Sequence, residues 1–248
     1  MNLNPRRALT VTADYDSERG YSEAHARCAN ECGFVIPPRP LDRLDRDGFD
    51  VVDCVSPETA SEVARQDWPT ALDRVLSGPL ATRIRIAFTS EFAPIHVKFI
   101  YTKAGEENPS FFWHCDAGPV AHLKVLVYLN ETDAATGIIS RAETDLFEKA
   151  GYPFGPLSER VGDDGLNEIA VQGGFTYRPV WTSPRPGRGV LFEPRNVLHR
   201  GRPPFSGARE MLQVVFVPWN TPWQQFVDEH RDWIEDNVGA GFPRLVPQ

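Results

Sequence analysis

Phe111-Phe112-Trp113-His114-Cys115-Asp116, followed by the apolar run from His122 to Asn130, is the stretch on which the reading of the fold turns. In an extended chain residues i and i+2 share a face. His114 and Asp116 therefore present an imidazole and a carboxylate side by side, while Cys115 turns away as an outward-facing spacer. The run Leu123-Lys124-Val125-Leu126-Val127-Tyr128-Leu129 is nearly continuously apolar, which suits a strand buried on both faces. An unpaired carboxylate in so apolar and aromatic a setting is costly, and a metal ion removes that cost. The other comparably placed histidine is His199, which closes the segment Val190-Leu191-Phe192-Glu193-Pro194-Arg195-Asn196-Val197-Leu198-His199. Ten residues beyond it Arg209 opens another apolar strand, where a buried guanidinium needs an anionic partner.

Outward from this centre the pattern is of short strands between turns. Ile84-Arg85-Ile86-Ala87-Phe88 alternates, and so does Ile95 to Lys103, with His96, Lys98 and Ile100 on one face. Further strands are expected at Phe49–Val55, Ile138–Ser140, Gly174–Trp181, Val190–Phe192 and Arg209–Val217. Helices are expected over Ser17–Cys32 and from Ser56-Pro57-Glu58 to about Leu76, the second broken at Trp68-Pro69 and stopped at Ser77-Gly78-Pro79. Another covers Thr144–Ala150. A last one starts at Thr221-Pro222-Trp223, with Trp223, Phe226, Val227, His230, Trp233 and Ile234 on one stripe. The rest of Arg141–Gln172 reads as a long loop, typical of a lid or a binding segment. Helices at both ends of a strand-rich middle describe a β-sandwich or jelly-roll core with helical support.

Composition agrees. A chain of 248 residues, 41% apolar, fits one large β domain, and 22 prolines with 19 glycines favour many turns over a helical bundle. No apolar run approaches the length of a membrane span, and Met1 to Arg7 lack the apolar core of a secretory signal. A soluble, cytoplasmic protein with no membrane partner is the expectation. Cys28, Cys32, Cys54 and Cys115 show no paired C-x-x-C spacing and read as free thiols. The net charge of −8 argues against a nucleic-acid partner. Against that background the segment Arg178 to Arg209 holds seven arginines, no lysine and one acid, Glu193, which favours small anions near His199. His25, His96, His122 and His230, taken singly, read as ordinary core or surface residues.

Two histidines and one carboxylate on one side of an ion are the ligand set of non-haem Fe(II) oxygenases. The order His114-x-Asp116, then His199, then Arg209 resembles the Fe(II)/2-oxoglutarate-dependent dioxygenase superfamily, most closely its phytanoyl-CoA hydroxylase-like branch. The resemblance runs from Asp47 to about Trp219. It includes Asp47-Gly48-Phe49-Asp50-Val51-Val52, Trp113-His114-Cys115-Asp116, Lys124 to Asp133 with Gly137, and Gly189 to Pro194 with His199-Arg200-Gly201. Ser140-Arg141-Ala142-Glu143-Thr144 departs from the branch, which carries a glycine-serine-histidine stretch there.

The resemblance implies a mainly β fold with flanking helices and a double-stranded β-helix core of the jelly-roll, cupin-like type. One domain would span residues 1–248, with helical support over about 17–80, the core over about 81–220 and a terminal helix over about 221–237. His114, Asp116 and His199 would bind Fe(II). Arg209 would grip 2-oxoglutarate, with Lys98 and Tyr128 as helpers. Trp113, Trp181, Arg195 and Arg200 are candidates for substrate contact. The implied reaction uses O2 and 2-oxoglutarate to hydroxylate, desaturate or rearrange a small molecule, in the manner of secondary metabolism, with release of succinate and CO2. Retention of Asp116 argues against halogenation, in which relatives give up the carboxylate to chloride. Two other readings stay open: a cupin-like metal-dependent isomerase or hydrolase, which leaves Arg209 without a task, and a non-enzymatic 2-oxoglutarate-binding protein.

Overall fold

The computed structural model describes residues 43–116, 122–152 and 157–238. The helix expected over Ser17–Cys32, with Cys28 and Cys32, lies outside them. In chain order the elements are α1 (Arg43–Asp47), β1 (Phe49–Asp53), α2 (Pro57–Val63), α3 (Trp68–Leu76), α4 (Pro79–Phe88) and the long β2 (Glu91–Lys103). Then come β3 (Leu123–Tyr128), β4 (Thr136–Ile138), α5 (Arg141–Lys149), α6 (Asp163–Gly173), β5 (Val180–Trp181), β6 (Arg188–Phe192), β7 (His199–Gly201), β8 (Ala208–Trp219) and α7 (Trp223–Val238). Among the described residues no helix is long and apolar enough to cross a membrane.

The expected break at Trp68-Pro69 separates α2 from α3, and each start is capped as its sequence demands. Ser56 accepts the Thr59 amide and Asp67 the Thr70 amide, with Pro57 and Pro69 in the first turns, where a missing N–H costs nothing. The strand expected at Ile84–Phe88 is instead the second half of α4. Its alternation is too short to separate the two periods. Leu80, Ile84 and Phe88, four apart, are buried together, while Arg83 and Arg85 reach outward to Asp50 and Glu91. The helical layer thus extends to Phe88, past the expected boundary near residue 80.

Among the described residues all strand pairings are antiparallel. The larger sheet has the order β1-β6-β3-β8-β2 and the smaller β5-β4-β7, a mainly β jelly-roll core with flanking helices. Every residue of β3 is buried because both faces are covered. Leu123, Val125 and Val127 pack with Val97, Leu212, Val214 and the helices α2, α3, α4 and α7. Leu126 and Tyr128 face the other way, with Phe49, Val190, Phe192, Met211 and, from the smaller sheet, Ile138. On α7 the apolar stripe is buried at Trp223, Phe226 and Ile234, and His230 departs from helical geometry (φ −130°, ψ 22°).

Two expectations in the second half change. The segment read as loop after Ala150 contains α6, opened by Asp163 and Asp164 in the first turn and closed by Gly174 in the left-handed region (φ 69°). The strand expected over Gly174–Trp181 shrinks to Val180–Trp181, because Phe175 and Tyr177 turn their rings edge-on to Phe147 of α5, each at 4.9 Å. α5 itself carries a reciprocal capping box between Ser140 and Glu143. This helical layer forms a separate apolar cluster behind the smaller sheet.

Gly137 of β4 marks how tightly that layer is packed. A Cβ there would lie 2.7 Å from the Trp181 ring and 3.0 Å from that of Trp113. Gly137→Ala is expected to cost about 1–3 kcal/mol, the usual cost of overpacking, in urea unfolding followed by circular dichroism.

Candidate metal centre

Trp113-His114-Cys115-Asp116 forms no strand of its own and meets the smaller sheet only through a bridge to His199 of β7, but it keeps the extended spacing that aims alternate side chains apart. Trp113 N–H donates to Val161 O at 2.9 Å and Asp116 N–H to Pro194 O at 2.7 Å. Between them His114 and His199 exchange backbone hydrogen bonds of 3.1 and 2.9 Å, which brings the two imidazoles to a centroid separation of 4.3 Å. Trp113 and Cys115 point the opposite way, into the α5–α6 cluster. Cys115 is therefore turned from the site as expected, yet it is buried rather than outward-facing.

Each imidazole is oriented by its own chain. His114 Nδ1–H donates to Phe112 O at 2.8 Å and His199 Nδ1–H to Val197 O at 3.0 Å, which leaves both Nε2 atoms with a free lone pair. Those atoms lie 3.6 and 3.8 Å from the same oxygen, Asp116 Oδ1. One ligand atom from each of the three residues falls within 4.8 Å of the others. Burial pushes the His114 pKa down to about 4 and that of His199 well below its ordinary value, so both imidazoles are neutral. Burial alone would raise the Asp116 carboxyl, but His199, Lys124 and His114 together hold it well below the usual carboxylate range. Two neutral imidazoles and one carboxylate, with little water around them, fit a divalent ion that accepts nitrogen and oxygen donors.

The second oxygen of Asp116 is engaged by Lys124 Nζ, from the inner face of β3. The carboxylate is thus divided, Oδ1 toward the histidines and Oδ2 toward the lysine. Sequence reading passed over Lys124. The available signal was a lysine inside an apolar run, on the same strand face as Leu126 and Tyr128.

These groups open into a cleft of about 320 Å³ between the two sheets, lined from the larger by His96, Lys98, Lys124, Arg209 and Gln213 and from the smaller by Thr136 and His199. Arg209, on β8, is buried at 4% exposure. Its guanidinium lies over the Phe111 ring at 5.7 Å and against Gly201, where a Cβ would come within 2.4 Å of Nη1. Among the described residues no carboxylate pairs with it and its Nε has no hydrogen-bond partner, and burial lowers its pKa.

No family model matches the chain, and no curated protein matches it. Among solved structures, EctD from S. alaskensis with bound Fe is similar at 17% identity, covering 76% of this chain and 82% of that one, with a TM-score of 0.48. HygX from Streptomyces hygroscopicus, solved with nickel and 2-oxoglutarate, is 17% identical over 72% of this chain and 87% of its own, with a TM-score of 0.45. AviO1 from Streptomyces viridochromogenes Tue57 is 15% identical over 73% of this chain and 96% of its own, with a TM-score of 0.43.

The other residues singled out in the sequence are scattered. Lys98 and Arg200 line the cleft, Arg200 in an ion pair with Asp163 at 2.9 Å. Tyr128 does not line it, and its hydroxyl is bonded to Thr136 at 2.9 Å and Thr182 at 2.8 Å inside the core. Trp113 is wholly buried, with its indole N–H on Asp163 at 2.8 Å. Trp181 packs under Arg202, whose guanidinium is 3.7 Å from the ring centroid, and neither Trp181 nor Arg195 lines the cleft. His96, read as an ordinary histidine, does line it, and burial lowers its pKa.

His114→Ala, Asp116→Ala and His199→Ala are each expected to abolish binding of Ni(II) in calorimetric titration. In the unaltered protein Ni(II) at about a hundredfold its Kd should add ~2.7 kcal/mol of stability. That gain, read from thermal unfolding, should vanish in all three variants.

Proposed function

We propose that the protein is an Fe(II)- and 2-oxoglutarate-dependent oxygenase that hydroxylates, desaturates or rearranges a small molecule, with succinate and CO2 as coproducts. The observation that carries this reading is the shared cleft: a buried two-histidine, one-carboxylate set and, facing the same space, a buried guanidinium with no carboxylate partner among the described residues. A buried cation without a counter-ion is strongly unfavourable, so the cleft is incomplete until an anion enters it. 2-Oxoglutarate, with a carboxylate at each end, would supply the counter-ion that Arg209 lacks.

His114, Asp116 and His199 would hold Fe(II), which when bound supplies the oxidative chemistry with O2. The chain's own contributions are physical. Val197 O and Phe112 O fix both imidazoles as Nδ1–H tautomers, so their Nε2 atoms need lose no proton on binding the ion. Arg209 would fix the remote carboxylate of 2-oxoglutarate through a planar fork, which orients as well as attracts. The apolar residues on the inner faces of β3 and β8, Leu126 and Met211, keep the cleft floor dry. The cleft volume suits a small molecule. A metal-dependent isomerase or hydrolase would supply no counter-ion for Arg209.

Anaerobic addition of Fe(II) and 2-oxoglutarate is expected to give a visible charge-transfer band, and admission of O2 to give succinate. Absence of both overturns the reading. Arg209→Met should raise the 2-oxoglutarate concentration needed for half-saturation of the band at least about tenfold, as loss of a charge-assisted pair requires, with Arg209→Lys in between. Tyr128→Phe is expected to cost about 1 kcal/mol of stability and to leave that concentration unchanged.

A further inference from the structure

The cleft is positively charged in a chain whose net charge is −8. Four cationic side chains line it, Lys98, Lys124, Arg200 and Arg209, against the one carboxylate of Asp116. Its three histidines, His96, His114 and His199, are driven toward the neutral form by burial. Three of the cations have assignments. Lys124 sits on Asp116, Arg200 on Asp163 at 2.9 Å, and Arg209 is the anchor for 2-oxoglutarate.

Lys98 has none. It has no ion-pair partner among the described residues, and it is exposed on β2, the edge strand of the larger sheet. Across the ladder it faces Gln213, which lines the same cleft, as do Asn108 and Ser110 of the loop that follows β2. Gln213 is four residues from Arg209 along β8, about 13 Å at ~3.3 Å per residue, so the two cations rise from the sheet at separate points. A full positive charge among neutral hydrogen-bonding groups at the solvent-facing side of a cleft is a receptor for an oxyanion.

Resting on the oxygenase reading for the assignment of Arg209, we propose that the primary substrate carries an oxyanion, a carboxylate or a phosphoryl group, which Lys98 receives apart from the 2-oxoglutarate site, in place of the helper's role beside Arg209 that the resemblance implies for it. The substrate would then arrive with its charged end held at the sheet edge and its uncharged part turned inward, past Gln213 and Leu126, toward Lys124 and the metal ligands. The acidic remainder of the surface would repel such a molecule and the cleft would collect it, so capture should weaken with added salt.

The test is calorimetric titration of the anaerobic protein, loaded with Fe(II) and saturating 2-oxoglutarate, with inorganic phosphate and separately with acetate at fixed ionic strength. Saturable binding of at least one anion is expected, and the stronger of the two identifies the group. Lys98→Met should weaken it about tenfold, as loss of one charge-assisted hydrogen bond implies, and Lys98→Arg should retain it, with 2-oxoglutarate affinity within twofold throughout. Binding of neither anion, unchanged binding in Lys98→Met, or an equal loss of 2-oxoglutarate affinity in that variant would overturn the proposal. Failure of the unaltered protein to bind 2-oxoglutarate would fall on the oxygenase reading instead, and phosphate titration of Lys98→Met against Arg209→Met would still decide whether Lys98 is an anion site.

Discussion

Two backbone hydrogen bonds, exchanged between His114 and His199, are the constraint on which the candidate centre depends. A pair that exchanges both bonds across antiparallel chains places its two side chains on one face, a few ångströms apart. The imidazoles are thus brought together by main chain, not by their own attraction. Neighbouring bonds extend the bridge on either side, from Trp113 to Val161, from Asp116 to Pro194 and from Ile139 to Leu198. Asp116 is held in register by the same device and needs only its side-chain torsions to be set, which Lys124 does.

The sheets around this bridge divide the labour by face. The outer face of the larger sheet is a hydrophobic bed for α2, α3, α4 and α7, and the residues there could be exchanged for others of similar volume without touching the cleft. On the inner face of β3 and β8 polar and apolar residues alternate with depth: Lys124 beside the ligands, then Leu126 with Gln213, then Tyr128 with Met211, and finally Arg209. Burial supplies the electrostatics on this face. It neutralises the imidazoles and leaves the Arg209 charge short of solvent, so anion binding and metal binding are favoured by one low-dielectric environment.

What could be read from the chain followed how local each signal was. His114 and Asp116 were legible because period-two spacing is a property of three residues, and β3 because continuous apolarity over seven residues leaves few alternatives. His199 and Arg209 drew their roles from the spacing of the whole pattern, since their local settings, the end of an apolar segment and the start of an apolar strand, do not by themselves specify a ligand or an anion clamp. Lys124 was legible in principle, as a charge in an apolar run, but its partner lies on a different segment. Ile84–Phe88 failed for want of length: five alternating residues also satisfy a helix when the first and last are four apart. Phe175 and Tyr177 failed because aromatic residues favour strands on average, while here the Phe147 ring offered them a better neighbour than a strand did.

Cys115 shows what the zigzag of an extended chain withholds as well as what it presents. Its sulfur is one residue from two candidate ligands yet on the far side of the main chain, beside Trp113, Phe147 and Tyr152, and burial pushes its thiol pKa up. A protonated thiol in a dry helical layer is no soft competitor for an ion placed between the two histidines and Asp116. The backbone at this point acts as an insulator, with hard donors on one side and the most oxidisable side chain of the segment sealed on the other.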